Sequence, residues 1–289
     1  MKKYFLICCI IFTATTLITS CNKDEVVTPS SSFASYFDSK AGTTWIYDNY
    51  HITQDNDEIF IQQMAIQDTL TQGSNKVILE KDAILMRHRF INPVISSSIV
   101  ANYAIFEDKE AEKLYVNDEF LKIFIPEELQ TYWDIVFDSD KWFLFADAKT
   151  TKEWVVENLP LTDAQLPGPS GITITLNGFL KLSGKREKDT TITSINSHTY
   201  CLSIFFEGNA TFSNIYTFPA RIEFKKINFY LGEKKGLLGI YSIPNNISLT
   251  TDDPLGKWAM SQLGYPDGKF LLPIVLDGFD KKLESIVEK

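Results

Sequence analysis

Between Ile172 and Leu182 apolar side chains fall on every second position. Ile172, Ile174, Leu176, Leu180 and Leu182 share one parity, with Gly178 among them, and Thr173, Thr175, Asn177 and Lys181 share the other. This period of two predicts a strand with one buried and one wet face, as in an antiparallel sheet. From Arg221 to Leu231 the same alternation slips phase. Ile222 and Phe224 have one parity, and Ile227, Phe229 and Leu231 have the other. A β-bulge at Lys225-Lys226 would return all five to one face and add twist. The alternation predicts further strands over 43–52, 58–70, 76–80, 83–90, 98–107, 112–117, 120–125, 134–138, 141–146, 152–157, 190–195, 199–207, 210–216 and 237–243.

Helical signals are few. Pro126-Glu127-Glu128 suits a first turn. Asp253-Pro254 supplies an N-cap and a first-turn proline, with a stop at Gly264. Residues 278–288 are expected to form a short helix. The Pro- and Gly-rich stretch 159–171 reads as a loop between two strand-rich halves. Strands without alternating helices exclude a parallel α/β fold. The expected fold is all-β, a single large antiparallel, strongly curved sheet or open barrel with a few short helices; a two-layer β-sandwich is the alternative.

The first twenty residues break the alternation. Lys2 and Lys3 precede an uncharged apolar run from Tyr4 to about Ile18, which is the layout of a secretory signal. The run is shorter than the roughly 20 residues of a membrane-spanning helix. It ends in Leu17-Ile18-Thr19-Ser20-Cys21, which resembles the lipobox of bacterial lipoproteins. That resemblance makes Cys21 the acylated first residue of the mature chain, carrying palmitate among several acyl chains. Two or more chains are needed for a stable anchor. Asn22-Lys23-Asp24-Glu25 resembles the surface-export signal of Bacteroidetes lipoproteins and implies an outer-membrane, outward-facing location. The expected organisation is a signal peptide over 1–20, a lipidated tether over 21–35 and a β-rich domain over 36–289. Within the last, 251–289 is expected to be a helical or irregular C-terminal appendage.

Charge narrows the partners. The chain carries a net −9, and losing Lys2 and Lys3 leaves 26 basic against 37 acidic side chains, a mature balance of −11. An acidic surface repels phosphate backbones, so nucleic acid is not an expected partner. After the signal is removed only Cys21 and Cys201 remain, and no disulfide framework is possible. Cys201 alternates with Leu202, Ile204 and Phe206 and reads as a half-buried strand residue.

Tyr36-Phe37-Asp38-Ser39-Lys40-Ala41-Gly42-Thr43-Thr44-Trp45-Ile46-Tyr47 resembles the opening of a poorly characterised family of Bacteroidetes-type surface lipoproteins with a Gly-x-x-Trp-x-Tyr motif. Gly42, Trp45 and Tyr47 match; Asp38 and Ser39 depart from that family's Pro-Leu pair. Phe145 to Trp154 looks like a later repeat of the theme, and Gly232 to Tyr241 resembles a late Gly-aliphatic strand. The resemblance implies a curved or barrel-like β domain and no activity. Gly42 would allow a tight turn, and Trp45 reads as a structural plug.

Catalytic chemistry is hard to find. His51, His88 and His198 are not at metal-ligand spacing, and Arg87 and Arg89 flank His88. No nucleophile elbow, phosphate loop or dinucleotide fingerprint occurs. Asp55-Asn56-Asp57-Glu58, Asp138-Ser139-Asp140 and Thr251-Asp252-Asp253 read as solvated turns. Asp68-Thr69-Leu70 and Asp189-Thr190-Thr191 resemble Bacteroidetes O-glycosylation acceptors and nominate Thr69 and Thr190. No cofactor is expected. The expected partners are the bilayer through Cys21, a lipid or glycan ligand, or an envelope protein. Exposed tryptophans among Trp133, Trp142, Trp154 and Trp258 would favour glycans. The expected function is a non-catalytic ligand-binding or envelope-interaction domain, with polysaccharide handling as the alternative.

Overall fold

The computed structural model describes residues 35–55, 58–92, 97–124, 141–167, 172–212, 216–262 and 264–288. Cys21, the helical signal at Pro126 and the strand expected at 134–138 lie outside the described residues. The strands are β1 (Thr44–Asp55), β2 (Glu58–Gln63), β3 (Asp68–Ile78), β4 (Lys81–Asn92), β5 (Ser97–Asp108), β6 (Lys113–Val116), β7 (Phe143–Asp147), β8 (Trp154–Pro167), β9 (Thr173–Arg186), β10 (Thr190–Ile192), β11 (Ile195–Phe212), β12 (Tyr216–Gly232), β13 (Gly236–Ser242), β14 (Asn245–Thr250), β15 (Lys269–Leu276) and β16 (Gly278–Val287). Two helices are described, α1 (Asp118–Lys122) and α2 (Pro254–Gln262).

All sixteen strands belong to one antiparallel sheet. Its main path runs β7-β6-β5-β4-β3-β1-β16-β13-β12-β11-β9-β8. The two end strands of this path, β7 and β8, lie side by side, so the sheet is nearly closed like a barrel. Side chains, not a ladder, span that seam. The Trp154 indole at the start of β8 donates to Leu144 O in β7 at 3.0 Å. Arg186, at the end of β9, donates to Ala148 O just past β7, and Lys141 pairs with Glu157 of β8. The Trp154 ring lies on Gly184, where any Cβ would meet indole atoms at 2.4–2.5 Å.

The motif Gly-x-x-Trp-x-Tyr stitches the opposite wall in the same way. Gly42 takes a φ of +94° in the turn before β1. Trp45 is fully buried, and its indole donates to Lys235 O at 2.6 Å. Its ring lies against Gly236, where a Cβ would meet it at 2.8 Å. The Tyr47 hydroxyl donates to Leu237 O at 2.8 Å. Both side chains thus reach past β16 to the start of β13. A sealed aromatic plug is the role in which Trp45 is found.

The barrel interior is packed. Phe229 meets Phe145, Phe124 and Phe120 at ring-centroid distances of 4.8, 5.2 and 5.9 Å. The void that remains among Phe37, Leu70, Tyr103, Phe120, Phe145 and Leu237 holds about 20 Å³ and has an apolar lining. A site of that size and chemistry stays dry.

At β12 the sheet branches. Asn228 to Gly232 pair with β13, whereas Arg221 to Glu223 pair with β14, which in turn pairs with β15. The Ile204/Phe205 step of β11 faces an extra residue in β12, Phe224, so the bulge lies one residue before the expected Lys225-Lys226. Its effect is the expected one: Ile222, Phe224, Ile227, Phe229 and Leu231 are all buried. Gly178 of β9 faces Gly208 of β11 so closely that a Cβ on either would meet backbone at 2.5–2.6 Å, with Phe206 covering the pair. Glycine pairs roofed by an aromatic are a device for bending sheets. Beyond them, Phe212, Phe218, Phe270, Ala259 and Met260 continue the core under α2.

Several expectations are corrected. Residues 159–167 are not loop but the second half of β8, whose Pro160 and Pro167 are tolerated because this strand has a ladder on one side only. The described part of the strand expected at 120–125, residues 120–124, is not a strand: Phe120, Leu121 and Phe124 sit at helical spacing on α1 and its following turn, and all three enter the core. Residues 278–287 are not a helix, and 251–289 is not an appendage. After α2 come β15 and then β16, which sits between β1 and β13. Phe279, Leu283, Ile286 and Val287 mimic a helical period because Lys281 points inward and a bulge at Glu284 shifts the parity. The helix α2 itself is as expected, with Asp253 Oδ2 accepting from Gly256 N at 2.8 Å and Gly264 at a φ of +90° after it.

Trp154→Ala removes both the seam hydrogen bond and the ring packed on Gly184. A loss of about 3–5 kcal/mol in unfolding free energy is expected, read by chemical denaturation; a loss below ~1 kcal/mol would show that the seam closes without it.

Candidate functional site

Three polar regions stand out from the apolar barrel. The first is where the chain enters the domain. Ser35 O and Tyr36 O accept from Lys234 N and Gly236 N at 2.8 and 2.9 Å. Glu107 Oε1 accepts from Tyr36 N at 2.7 Å, and the same carboxylate bonds the Ser35 hydroxyl. The Tyr36 hydroxyl lies 2.7 Å from both His198 Nδ1 and the Tyr200 hydroxyl. Arg186 holds Asp189 at 3.0 Å, and Asp189 stands 4.0 Å from His198. Burial pushes the Tyr36 phenol well up and that of Tyr200 up to about 12, so both stay neutral. Burial, with Arg186 beside it, pushes His198 down. This uncharged chain of hydroxyls and imidazole straps the start of the domain to β11 and the β12–β13 turn.

The second region is inside the barrel. Asp68 is fully buried and bonds Lys281 of β16 and Asn49 Nδ2, the latter at 2.7 Å. His88 is buried beside them, with edge contacts to Phe90 and Tyr103 at 5.4 and 6.4 Å. Neither of its ring nitrogens has a hydrogen-bond partner among the described residues. Burial and the nearby Lys281 ammonium push its pKa well down, so the ring is neutral. Just outside the branch of the sheet, His51 Nε2 meets Asp277 at 2.9 Å. Lys225 Nζ donates to Asp277 O at 3.1 Å, and burial lowers its pKa to about 8.

The third region is on the outer wall. The β10–β11 hairpin turns through Thr193 and Ser194, both at positive φ, and Thr193 Oγ1 donates to Leu283 O at 3.4 Å. The hairpin therefore arches over β12, β13 and β16. Beneath it is a cleft of about 290 Å³ lined by Thr191, Ile192, Thr193, Tyr230, Gly239, Tyr241, Asp280 and Lys282. Asp280 and Lys282 pair at 3.0 Å, and the Lys282 ammonium sits 5.0 Å from the Tyr50 ring centre. A wider hollow of about 480 Å³ lies on the outer face of β3, β4 and β5, around Thr71, Leu85, Arg87, Asn102 and Asn117.

The sequence-nominated residues fall in different places. Thr190 is exposed on β10, beside the hairpin cleft, whereas Thr69 is half-buried in β3 between Ile46 and Arg89. Cys201 points to the outer face, away from His198, and burial raises its pKa. Asp253 of the third acidic cluster caps α2, and Thr251 donates to Pro219 O at 2.6 Å. Among the described residues no three His, Cys, Asp or Glu side chains come together as a metal site. Trp154 is a seam residue, Trp142 is half-buried beside Phe106, Trp133 lies outside the described residues, and Trp258 is 51% exposed. The outer cleft went unnoticed in the sequence because its wall combines four distant segments; the alternation of Tyr230, Gly239 and Tyr241 to the wet face was its one available signal.

No protein-family model matches this chain, and no curated protein is significantly similar to it. Among solved structures it is similar to the crystal structure of a provisionally designated lipoprotein from Parabacteroides distasonis. The TM-score is 0.40 at 7% identity, over 89% of this chain and 100% of that one.

His88 and His198 are both held below the ordinary histidine pKa of about 6.5 in the folded protein. Above that pH neither state binds the proton. As pH falls below it, the unfolded chain takes protons that the folded one refuses, so stability is lost with acidification. The melting temperature is expected to fall between pH 7.5 and 5.5, and His88→Leu should reduce the fall. An unchanged melting temperature across that range would contradict the assignment.

Proposed function

We propose that the protein is a lipid-anchored, non-catalytic binding module, held through Cys21 on the outer membrane of a Bacteroidetes-type envelope, that meets its ligand on the outside of its barrel. The observation that carries this reading is the filled interior. Among the described residues the void left between the large aromatic rings is about 20 Å³ and dry, too small for a lipid or a lipoprotein tail. This favours a ligand site on the wall. The signal and lipobox at Leu17 to Cys21 support the anchor. The strapped entry of the chain at Ser35 supports a defined presentation, because it fixes which end of the barrel the tether joins. Thirteen residues lie between Cys21 and Ser35, an extended reach of about 50 Å. For glycosylation, exposure favours Thr190 over Thr69.

A second reading, docking to an envelope protein, is favoured by β2. It pairs with β1 on one side, and Ile59, Phe60 and Ile61 are 59%, 50% and 66% exposed. Exposed apolar edge strands are templates for partner pairing.

Metabolic labelling with an alkynyl palmitate in the native host tests the anchor. The wild-type chain should take the label and partition with membranes, and Cys21→Ala should lose both; label retained on the variant overturns the reading. For the second reading, crosslinking in cells should give a heteromeric species that Phe60→Asp abolishes. Recovery of monomer alone from wild type would sink it.

A further inference from the structure

We propose that the cleft beneath the β10–β11 hairpin binds a short, uncharged saccharide. The proposal rests on the outer-wall reading above and names its site. Tyr230 and Tyr241 stand on the wet face of neighbouring strands, with Tyr230 directly opposite Gly239. Glycine there permits a close approach, since a Cβ would meet Lys281 O at 2.7 Å and the Tyr230 ring at 3.4 Å, and both tyrosines line the slot of the cleft. Flat apolar rings with a hydroxyl at the edge suit the C–H faces of a pyranose, which needs an apolar platform and a wet rim.

The polar groups around the slot are of the matching kind. The Asp280 carboxylate accepts hydrogen bonds and the Lys282 ammonium donates them, and the two are 3.0 Å apart. Such a pair engages neighbouring hydroxyls of one sugar, each taking one partner. Thr191 and Thr193 add hydroxyls from the roof, and the roof is pinned by the bond from Thr193 to Leu283 O. The volume of about 290 Å³ lies at the lower end of the ~300–1,000 Å³ typical of small-ligand clefts.

Charge selects within this class. The lining holds Asp280, Lys281 and Lys282, and both lysines are already paired, Lys281 with buried Asp68 and Lys282 with Asp280, so a phosphorylated or carboxylated sugar would have to compete with a carboxylate for either cation. A purely apolar ligand would leave the Asp280–Lys282 pair desolvated without new partners, which is unfavourable.

The test uses the full-length protein in detergent against an array of neutral and acidic oligosaccharides, with hits measured by calorimetry. Neutral oligosaccharides should bind, and acidic ones should not. Tyr241→Ala and Asp280→Asn should each weaken binding by about tenfold or more, with the melting temperature unchanged. Binding that survives both substitutions but is lost on Arg87→Ala overturns this site and keeps the outer-wall reading, because the ligand then sits in the β3–β5 hollow. An array without hits overturns the saccharide assignment. Failure of the anchored-module reading is scored separately, by palmitate label on Cys21→Ala.

Discussion

The closure of this barrel depends on an indole lying on a glycine. At the seam, β7 and β8 share no backbone ladder, and a sheet left open there would expose two edges. The Trp154 ring fills the space that Gly184 leaves, which aims its N–H at Leu144 O across the gap. Arg186 and the Lys141–Glu157 pair reinforce it. The same device recurs on the far wall, where Trp45 lies on Gly236 and donates to Lys235 O. In both places the glycine is required by its neighbour's ring, since a Cβ would overlap the indole. The ring in turn is what links strands that are not adjacent.

A barrel closed and plugged in this way has consequences for what it does. Large aromatics converge from β1, β5, β7, β12 and α1, and the void left among the described ones is small and dry. One cluster of polar groups, Asp68, Lys281, Asn49 and His88, is enclosed with them. The buried pair adds little net stability against an apolar substitute. It does fix which residue of β16 faces inward, because shifting the register by one would take the Lys281 ammonium away from the buried Asp68 carboxylate. On the outer wall, by contrast, the β10–β11 hairpin and the outer face of β3–β5 each leave a hollow, of about 290 and 480 Å³.

How much of this was legible in the sequence follows from the range of the interactions. The strand at Ile172–Leu182 and the phase slip at Arg221–Leu231 were readable because alternation is local. The cap at Asp253 and the turn at Gly42 were readable because each is a property of a few consecutive residues. The motif marked Trp45 and Tyr47, but their attachment to β13 was not legible, because the partners lie 190 residues away. β16 was misread because its inward lysine is explained by Asp68, 213 residues away. β8 was misread because its prolines make sense only once the strand is known to lack a second neighbour. The candidate cleft was illegible for the same reason: Thr191, Tyr230, Tyr241 and Asp280 come from separate strands.

The position of β16 also bears on how the molecule assembles. β1 and β16 are adjacent, with Thr44 opposite Val287, so nearly the whole described chain must be in place before the wall is continuous. Until β16 arrives, β1 and β13 present bare edges, and Asp68 lacks its ammonium partner. Pairing across such a separation is slow relative to local hairpins. The long neighbouring hairpins β8–β9 and β11–β12 form from local contacts. The order that physics favours is thus hairpins first, then capture of β16, with Trp154 closing the seam once β7 and β8 meet.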